Sequence, residues 1–136
     1  MRIVLDTNVL VSALISSGAP PGLLYEAWRS GDFQLVTSAP QIAELNRVLS
    51  YERLRPYINA SDAEALSETI DAVAIVVDAL PDTQLSSDPD DNTILATAIA
   101  AGADLIVTGD ESHLLELESV DGIPIVTLRT ALRYVA

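Results

Sequence analysis

The 136-residue sequence contains no cysteine and no lysine, and each absence excludes a class of chemistry. Without cysteine there are no disulfides, no thiolate zinc sites and no cysteine nucleophiles. Without lysine, every mechanism that needs a lysine amine is excluded. Long hydrophobic runs are also missing, because no stretch approaches the roughly 18 uncharged apolar residues of a membrane helix. We therefore expect a soluble protein with no membrane partner, and a location in the reducing cytoplasm.

Positive charge is scarce as well. The sequence has 20 acidic residues against seven basic ones, all arginine, and a formal net charge of −13 at pH 7. Proteins that bind nucleic acids usually show the opposite balance. On charge alone, RNA is a poor guess for a ligand. The only concentration of basic residues is at Arg47, Arg53 and Arg55.

Short apolar runs that alternate with helical patterns predict an α/β fold. A chain of this length supports one domain with a full core, and we expect a single domain over residues 1–136. Strands separated by helices favour a parallel sheet with helices on both faces. The prediction is a three-layer α/β/α fold with a central, mainly parallel sheet of four or five strands. The predicted strands are Arg2–Leu5, Phe33–Thr37, Ala74–Val77, Leu105–Thr108 and an edge strand at Ile123–Val126.

Several residues are typical of helix ends. Ser61 followed by Glu64 predicts a capping box at a helix start. Thr127 is predicted to cap the last helix. Gly102 is expected to end the helix that contains Thr93–Ala101.

Four acidic residues are predicted to lie near one end of the sheet. Asp6 ends the first strand, Asp110 follows the strand that ends at Thr108, and Asp91 lies in the first turn of a helix. Glu44 lies on the helix after the second strand, beside an apolar face. In open α/β sheets the ligand crevice lies beyond the carboxyl ends of the strands. The four carboxylates are therefore expected to converge there.

Each acid taken singly has an ordinary alternative interpretation. With Asp88 as N-cap and Pro89 at the first helical position, Asp91 would simply complement the helix dipole, for roughly 0.3 to 1 kcal/mol. The other three acids would be turn or helix-surface residues. Asp88 and Asp90 are alternative ligands at the Asp91 position, although Asp91 has the better position relative to the apolar stripe behind it.

A cluster of carboxylates needs a cation. Two carboxylates about 5 Å apart repel by roughly 3 kcal/mol at an effective dielectric constant near 20. Oxygen ligands without His or Cys favour Mg²⁺ or Mn²⁺ over zinc. Such ions generate hydroxide near neutral pH and stabilise leaving oxygens. The cluster therefore indicates metal-assisted phosphoryl transfer.

The motifs around these acids together resemble PIN-domain proteins. They are Leu5-Asp6-Thr7-Asn8, Glu44, Asp91-Asn92-Thr93-Ile94-Leu95-Ala96-Thr97-Ala98 and Val107-Thr108-Gly109-Asp110. The resemblance runs from Arg2 to about the last helix. The motifs are similar in particular to the PIN branch of bacterial toxins related to VapC-type ribonucleases. It implies a PIN-like fold and a metal-dependent endoribonuclease whose Asp6, Glu44, Asp91 and Asp110 hold Mg²⁺ or Mn²⁺.

The resemblance also implies supporting groups and partners. Asn8, Ser38 and Thr108 are expected to orient the acids. A cognate antitoxin is the expected partner, and a homodimer is expected because relatives often dimerise. Many relatives carry a further acid where this chain has His113, which we predict to be a surface residue in a short helix.

The arginines at 47, 53 and 55 are candidate contacts to the RNA backbone. Bound metal would reverse the potential of the acidic cluster locally, but the overall charge still opposes RNA. The alternative interpretation of the three arginines is a solvated face.

Three other functions compete with the nuclease. A haloacid-dehalogenase-type phosphatase would match Asp6 after an apolar strand and Gly109-Asp110, but its second acid is replaced by Asn8 and its lysine is absent. A response-regulator receiver lacks its lysine too. A non-catalytic binding module with the PIN fold is the remaining alternative. It gives no physical reason to keep four repelling carboxylates.

Overall fold

A central sheet organises residues 1–16, 18–109 and 112–135, which are the residues described by the computed structural model. The strands are β1 (Arg2–Leu5), β2 (Gln34–Ser38), β3 (Ile75–Val77), β4 (Leu105–Thr108), β5 (Ser119–Val120) and β6 (Ile123–Thr127). The helices are α1 (Thr7–Ile15), α2 (Pro20–Arg29), α3 (Ala39–Leu49), α4 (Ala60–Val73), α5 (Pro89–Ala101) and α6 (Leu128–Val135), with short 3-10 turns at Glu52–Leu54 and His113–Leu117. None of the helices within the described ranges is long and apolar enough to cross a membrane.

The strand order is β3-β2-β1-β4-β6-β5, which places β1 and β4 at the centre. β1 pairs in parallel on both sides, with Ile3 opposite Leu35 of β2 and Leu105 of β4. The chain moves outward from β1 to β3 and then returns to β4 on the other side, so the order reverses between β1 and β4. The ligand crevice of an open α/β sheet lies at such a reversal, beyond the carboxyl ends of the strands. Residues that follow β1 and β4 therefore occupy that position.

Successive residues of β1 face two hydrophobic layers. Ile3 and Leu5 pack against side chains of α1, α2, α3, α4 and α6, whereas Val4 faces the opposite side and packs with Ile94 and Leu95 of α5. Burying an aliphatic side chain of this size stabilises a fold by roughly 1.5–3 kcal/mol. The three-layer α/β/α arrangement and the mainly parallel sheet predicted from the sequence are confirmed, but the sheet in the described residues has six strands instead of the predicted four or five.

Three strands differ by one residue from their predicted bounds, and one of them, β6, ends at Thr127 rather than Val126. β2 lies one residue later than the predicted Phe33–Thr37, and β3 begins at Ile75 rather than Ala74. Ala74 instead ends α4, because its N–H donates to the carbonyl of Ile70 at 3.1 Å. Ala74 is thus the single residue between α4 and β3.

The prediction that Ile123–Val126 is an edge strand is wrong. The strand is present as β6, but β5 lies outside it and pairs antiparallel, with Val120 opposite Ile123. Asp121 and Gly122 join the two strands with φ of 48° and 79°. A two-residue turn of this kind needs positive φ at both positions, which makes Asp-Gly a hairpin signal. β5 itself is too short to show a strand pattern.

The predicted capping box at Ser61 and Glu64 is also wrong. α4 begins at Ala60, and the side chain of Asn59 caps it by accepting from the N–H of Ser61 at 2.8 Å. The other predicted helix ends are confirmed. Gly102 ends α5 with φ 60° and ψ 46°, and Thr127 Oγ1 accepts from the N–H of Thr130 at 3.4 Å.

Candidate functional site

Asp6 connects the central strand β1 to helix α1. Its backbone N–H donates to the carbonyl of Val107 at 2.9 Å, which continues the pairing of β1 with β4 by one residue. One carboxylate oxygen, Oδ1, accepts from the N–H of Asn8 at 3.2 Å and caps α1. The other, Oδ2, accepts from the hydroxyl of Thr108 at 2.9 Å. Thr108 is fully buried, so the carboxylate is oriented by a rigid partner.

Glu44 reaches the same region from the middle of α3. The helix starts directly after β2, and the buried side chain of Leu45 holds it against the sheet. Thr7 donates its hydroxyl to Glu44 Oε2 at 3.1 Å. Burial raises the pKa of Glu44, and the charges of Asp90 and Asp6 raise it further, against lowering effects from the Thr7 hydrogen bond and Arg47. Glu44 is therefore within electrostatic reach of the other acids.

Asp91 lies in the first turn of α5, with the buried residues Ile94 and Leu95 on the face behind it. The sequence at the start of α5 explains the local structure. Asp88 caps the helix by accepting from the N–H of Asp90 at 2.9 Å, and Pro89 follows at the first helical position. Ser86 donates its hydroxyl to Asp91 Oδ2 at 3.3 Å.

The electrostatics of Asp91 resemble those of Glu44. Burial raises the pKa of Asp91 most, followed by the charge of Asp88 and then, more weakly, that of Asp6. The Ser86 hydrogen bond and the nearby His113 lower it. Both Glu44 and Asp91 therefore feel the charge of Asp6, as expected of carboxylates that share one site.

One open cleft of about 470 Å³ unites these residues. Its lining comprises Asp6, Asn8, Glu44, Asp88, Asp90, Asp91, Ile94, Gly109, Ser112 and His113. Three of the four acids predicted from the sequence thus line a single cleft. The fourth, Asp110, lies outside the described residues, although Gly109 and Ser112 on either side of it belong to the lining. Within residues 1–16, 18–109 and 112–135, no three acids or histidines lie close enough to form a metal-binding group by themselves.

The predicted supporting residues have different surroundings. Thr108 bonds to Asp6 directly, and Asn8 lines the cleft while its backbone N–H bonds to Asp6. The hydroxyl of Ser38 is 2.8 Å from that of Thr97, and both side chains are fully buried. Ser38 therefore connects the end of β2 to α5, and its observed hydrogen bond is not to an acid.

Sequence reasoning missed two hydroxyls that contact the acids, Thr7 and Ser86. Thr7 follows Asp6 directly and could have been considered from its position alone. Ser86 had no comparable signal, because the loop before α5 contains several similar residues. Its position depends on Asn92, whose side chain accepts from the N–H of Ser86 at 2.9 Å and donates to its carbonyl at 2.7 Å.

His113 and the three candidate arginines are exposed. His113 begins a 3-10 turn, as predicted for a short surface helix, and its Nδ1 is 3.7 Å from Glu116 Oε1. Arg47 lies in the last turn of α3, close enough to lower the pKa of Glu44. Arg53 lies in the following 3-10 turn, and Arg55 comes directly after that turn. The three arginines thus lie beyond the cleft, along the chain that leaves α3.

The polar side chains that line the cleft are carboxylates, the amide of Asn8, the hydroxyl of Ser112 and one histidine, His113. Hard oxygen donors of this kind suit Mg²⁺ or Mn²⁺. Burial raises the pKa of Glu44 and Asp91 most, and the charges of neighbouring carboxylates raise it further. A bound cation would relieve that repulsion. The residues therefore fit a divalent metal ion.

Known proteins share sequence or fold with this chain. A family model described as the PIN domain matches residues 2–112. An uncharacterized protein of Methanocaldococcus jannaschii is 26% identical over 112 residues, which cover 82% of this chain and 72% of that protein. Among solved structures, a chain in the crystal structure of VapBC2 from Rickettsia felis, bound to a DNA fragment from their promoter, shares the fold. Its TM-score is 0.59 at 15% identity, covering 93% of this chain and 98% of that chain. PIN domains are generally nucleases. The match over residues 2–112 shows that the chain belongs to the PIN-domain family.

Proposed function

We propose that this protein is a metal-dependent endoribonuclease that hydrolyses RNA phosphodiester bonds. The observation that carries the proposal is the meeting of Asp6, Glu44 and Asp91 in one cleft, although they come from three separate elements of the chain. We assign Asp110 to the same cluster, because it follows β4 next to the cleft-lining Gly109. Family membership supports the nuclease class, and the oxygen donors support Mg²⁺ or Mn²⁺ as the cofactor.

The chain's own residues prepare the site by holding the acids in place. The hydroxyls of Thr7 and Ser86 each bind one oxygen of Glu44 and of Asp91, respectively. Within the described residues, no hydrogen bond involves the other oxygen, Oε1 of Glu44 or Oδ1 of Asp91, so each is available to a cation. Outer hydrogen bonds of this kind orient metal ligands and strengthen binding. A bound metal would supply hydroxide near neutral pH and stabilise the leaving oxygen.

The cleft also determines where the substrate phosphate can approach. Its open shape admits a nucleic-acid strand from solvent, and its carboxylates repel phosphate until a cation neutralises them. Metal binding and RNA binding in the cleft are therefore coupled. This coupling explains how a protein with a net charge of −13 can act on a polyanion.

We further propose that the enzyme is the toxin of a toxin-antitoxin pair. The support is the sequence resemblance to VapC-type ribonucleases and the fold shared with a chain of VapBC2. A cognate antitoxin is the proposed partner, and a homodimer of single-domain chains is the proposed assembly. Induced expression in a bacterial host should arrest growth, and Asp6→Asn should abolish the arrest at equal protein level.

The test of the nuclease proposal is cleavage of structured RNAs by the purified protein with Mg²⁺ or Mn²⁺. Asp6→Asn should remove both cleavage and calorimetrically measured Mn²⁺ binding, whereas Asp71→Asn on the exposed face of α4 should change neither. Equal cleavage by Asp6→Asn would contradict the proposal. If neither metal binding nor cleavage occurs, even with RNA present to complete the ligand set, the non-catalytic binding module becomes the better description.

A further inference from the structure

The chain that leaves the cleft carries an unusual concentration of positive charge. Arg47, Arg53 and Arg55 lie within nine residues and are all exposed. In the part of the chain that the structure describes, no arginine lies within 4.0 Å of a carboxylate oxygen. In so acidic a protein, cations that avoid pairing leave a local surface free to attract anions.

This basic segment starts beside the acids. α3 carries Glu44 in the cleft and Arg47 three residues later, which is about 4.5 Å further along a helix axis. Side chains three residues apart are neighbours on a helix surface. Tyr51 follows just after the helix ends at Leu49. A strand of nucleic acid that leaves the cleft along α3 therefore meets Arg47 first and Tyr51 next.

Tyr51 and Arg53 form a pair suited to a nucleotide. The guanidinium carbon of Arg53 is 5.0 Å from the centre of the Tyr51 ring, in a cation–π arrangement. Together with Glu52 they line a shallow hollow of about 350 Å³. Aromatic rings and arginine planes are the surfaces on which unpaired bases stack. Base-paired strands keep their bases stacked inside the helix, so a single aromatic platform favours a single strand.

Building on the proposed nuclease function, we propose that Arg47, Tyr51 and Arg53 form a track that binds single-stranded RNA and leads it into the acidic cleft. The two arginines contact phosphates, and Tyr51 stacks a base a short distance from the cleaved bond. Arg55, at the end of the turn, extends the positive field. The substrate is therefore cleaved within an unpaired segment such as a loop or an end.

Fluorescence anisotropy with a labelled 12-nucleotide RNA tests the track directly. The RNA carries 2′-O-methyl and phosphorothioate groups to resist cleavage, and its length is checked after each titration. Arg47→Gln and Arg53→Gln should each lower the slope of log K against log salt by about 0.7, the value for one lost phosphate contact in a single strand. Tyr51→Ala should weaken binding roughly tenfold, and Tyr51→Phe should retain it.

The chain supplies a matched control on α6, outside the cleft lining. Arg133 and Tyr134 on α6 are an exposed arginine and tyrosine next to each other, away from the cleft lining. Arg133→Gln and Tyr134→Ala should leave both affinity and salt slope unchanged. The same RNA annealed to its complement should bind at least tenfold more weakly than the single strand. Thermal unfolding of each variant separates lost binding from lost folding.

Three results would overturn the track. The first is that all the track variants keep wild-type affinity and salt slope. The second is that the duplex binds as tightly as the single strand. The third is that substituting the track arginines abolishes binding of an octaglutamate peptide but leaves RNA binding intact. The last result would assign the arginines to an acidic protein partner. RNA cleavage that persists with unchanged binding in the variants would reject the track and leave the nuclease standing. Binding through the track without any cleavage would reject the nuclease and leave the track standing.

Discussion

The hydroxyl of Thr108 donates a 2.9 Å hydrogen bond to the carboxylate of Asp6, across 102 residues of sequence. The parallel pairing of β1 and β4 makes this contact, because it aligns Leu5 with Val107 and so brings the next residue of each strand together. The most buried hydroxyl of the site is thereby directed at the acid that ends the central strand.

Replacing this hydroxyl tests its role in orienting Asp6. Thr108→Val keeps the shape of the side chain but removes the donor, and we expect Mn²⁺ binding to weaken about 10- to 100-fold. The loss of stability should be only about 1 kcal/mol. Calorimetry and urea unfolding measure the two effects. Thr69→Val on α4 removes a hydroxyl that bonds within its own helix and is the control. Unchanged metal affinity in Thr108→Val would show that Asp6 needs no such support.

Because the pKa of Glu44 is raised, removing its charge should stabilise the folded protein at pH values at which the carboxylate is ionised. Folding disfavours the charged carboxylate, so its contribution to stability is fully present below the unfolded pKa, near 4.5, and is lost as pH rises through the folded pKa. Without divalent metal, Glu44→Gln should raise the unfolding temperature at pH 7 by on the order of 2 °C and give no gain at pH 3. Glu68→Gln on exposed α4 should show neither effect. A lower unfolding temperature for Glu44→Gln at pH 7 would contradict the prediction.

Binding of a divalent metal should offset the cost of holding the charged carboxylates together in the cleft. A ligand that binds only the folded state at 100 times its Kd stabilises it by about 2.7 kcal/mol. Mn²⁺ should therefore raise the unfolding temperature of the wild type but not that of Asp6→Asn or Asp91→Asn. Removal with EDTA should restore the metal-free value. An equal increase in all three proteins would place the ion elsewhere.

The pair of hydrogen bonds between Asn92 and the backbone of Ser86 predicts an ordered loop before α5. Asn92→Ala removes both bonds and should cost about 1–2 kcal/mol, with faster proteolysis within residues 80–88. Ser86→Ala removes the hydroxyl, which donates to Asp91 and accepts from the N–H of Asp88 at 3.2 Å. It should speed proteolysis less than Asn92→Ala does, while weakening Mn²⁺ binding. Equal proteolysis of Asn92→Ala and the wild type would mean that other contacts hold the loop.

The start of α4 offers a direct comparison of two capping schemes. Asn59→Ala should cost about 1 kcal/mol, because the helix loses its side-chain cap. Glu64→Ala should cost less than about 0.5 kcal/mol, since the predicted capping box does not form. Chemical denaturation measures both. The reverse order of the two losses would favour the capping box.

The parts of the fold that could be predicted from sequence are those with a strong local signal. β1 and β4 have the predicted bounds because a strand buried on both faces reads as an unbroken apolar run. The start of α4 could not be decided, since Asn59 and Ser61 are both good caps and backbone geometry selects between them. β5 was missed because it has two residues, although the Asp-Gly turn beside it was visible.

The candidate site shows the same division. Asp6 could be predicted because it ends a strand, where the ligand crevice of an open α/β sheet lies. Asp91 could be predicted because it lies in the first turn of a helix, in front of an apolar stripe. The hydrogen bonds from Thr7 to Glu44 and from Ser86 to Asp91 depend on how helices and a loop pack, which spacing does not encode. Asp90 is a further example, because its charge acts on Glu44 more strongly than that of Asp6 does.

The position of Asp6 at the end of the central strand divides the site into two mechanical halves. Ile3, Val4 and Leu5 are almost completely buried, so Asp6 can move only if the core opens, and its surroundings should exchange amide hydrogens as slowly as the whole protein unfolds. Asp91 lies in the first turn of α5, and its carboxylate accepts from Ser86 of the preceding loop. Helix ends and loops open at lower free energy than a core strand. Amide hydrogens around Asp91 should therefore exchange faster than those around Asp6.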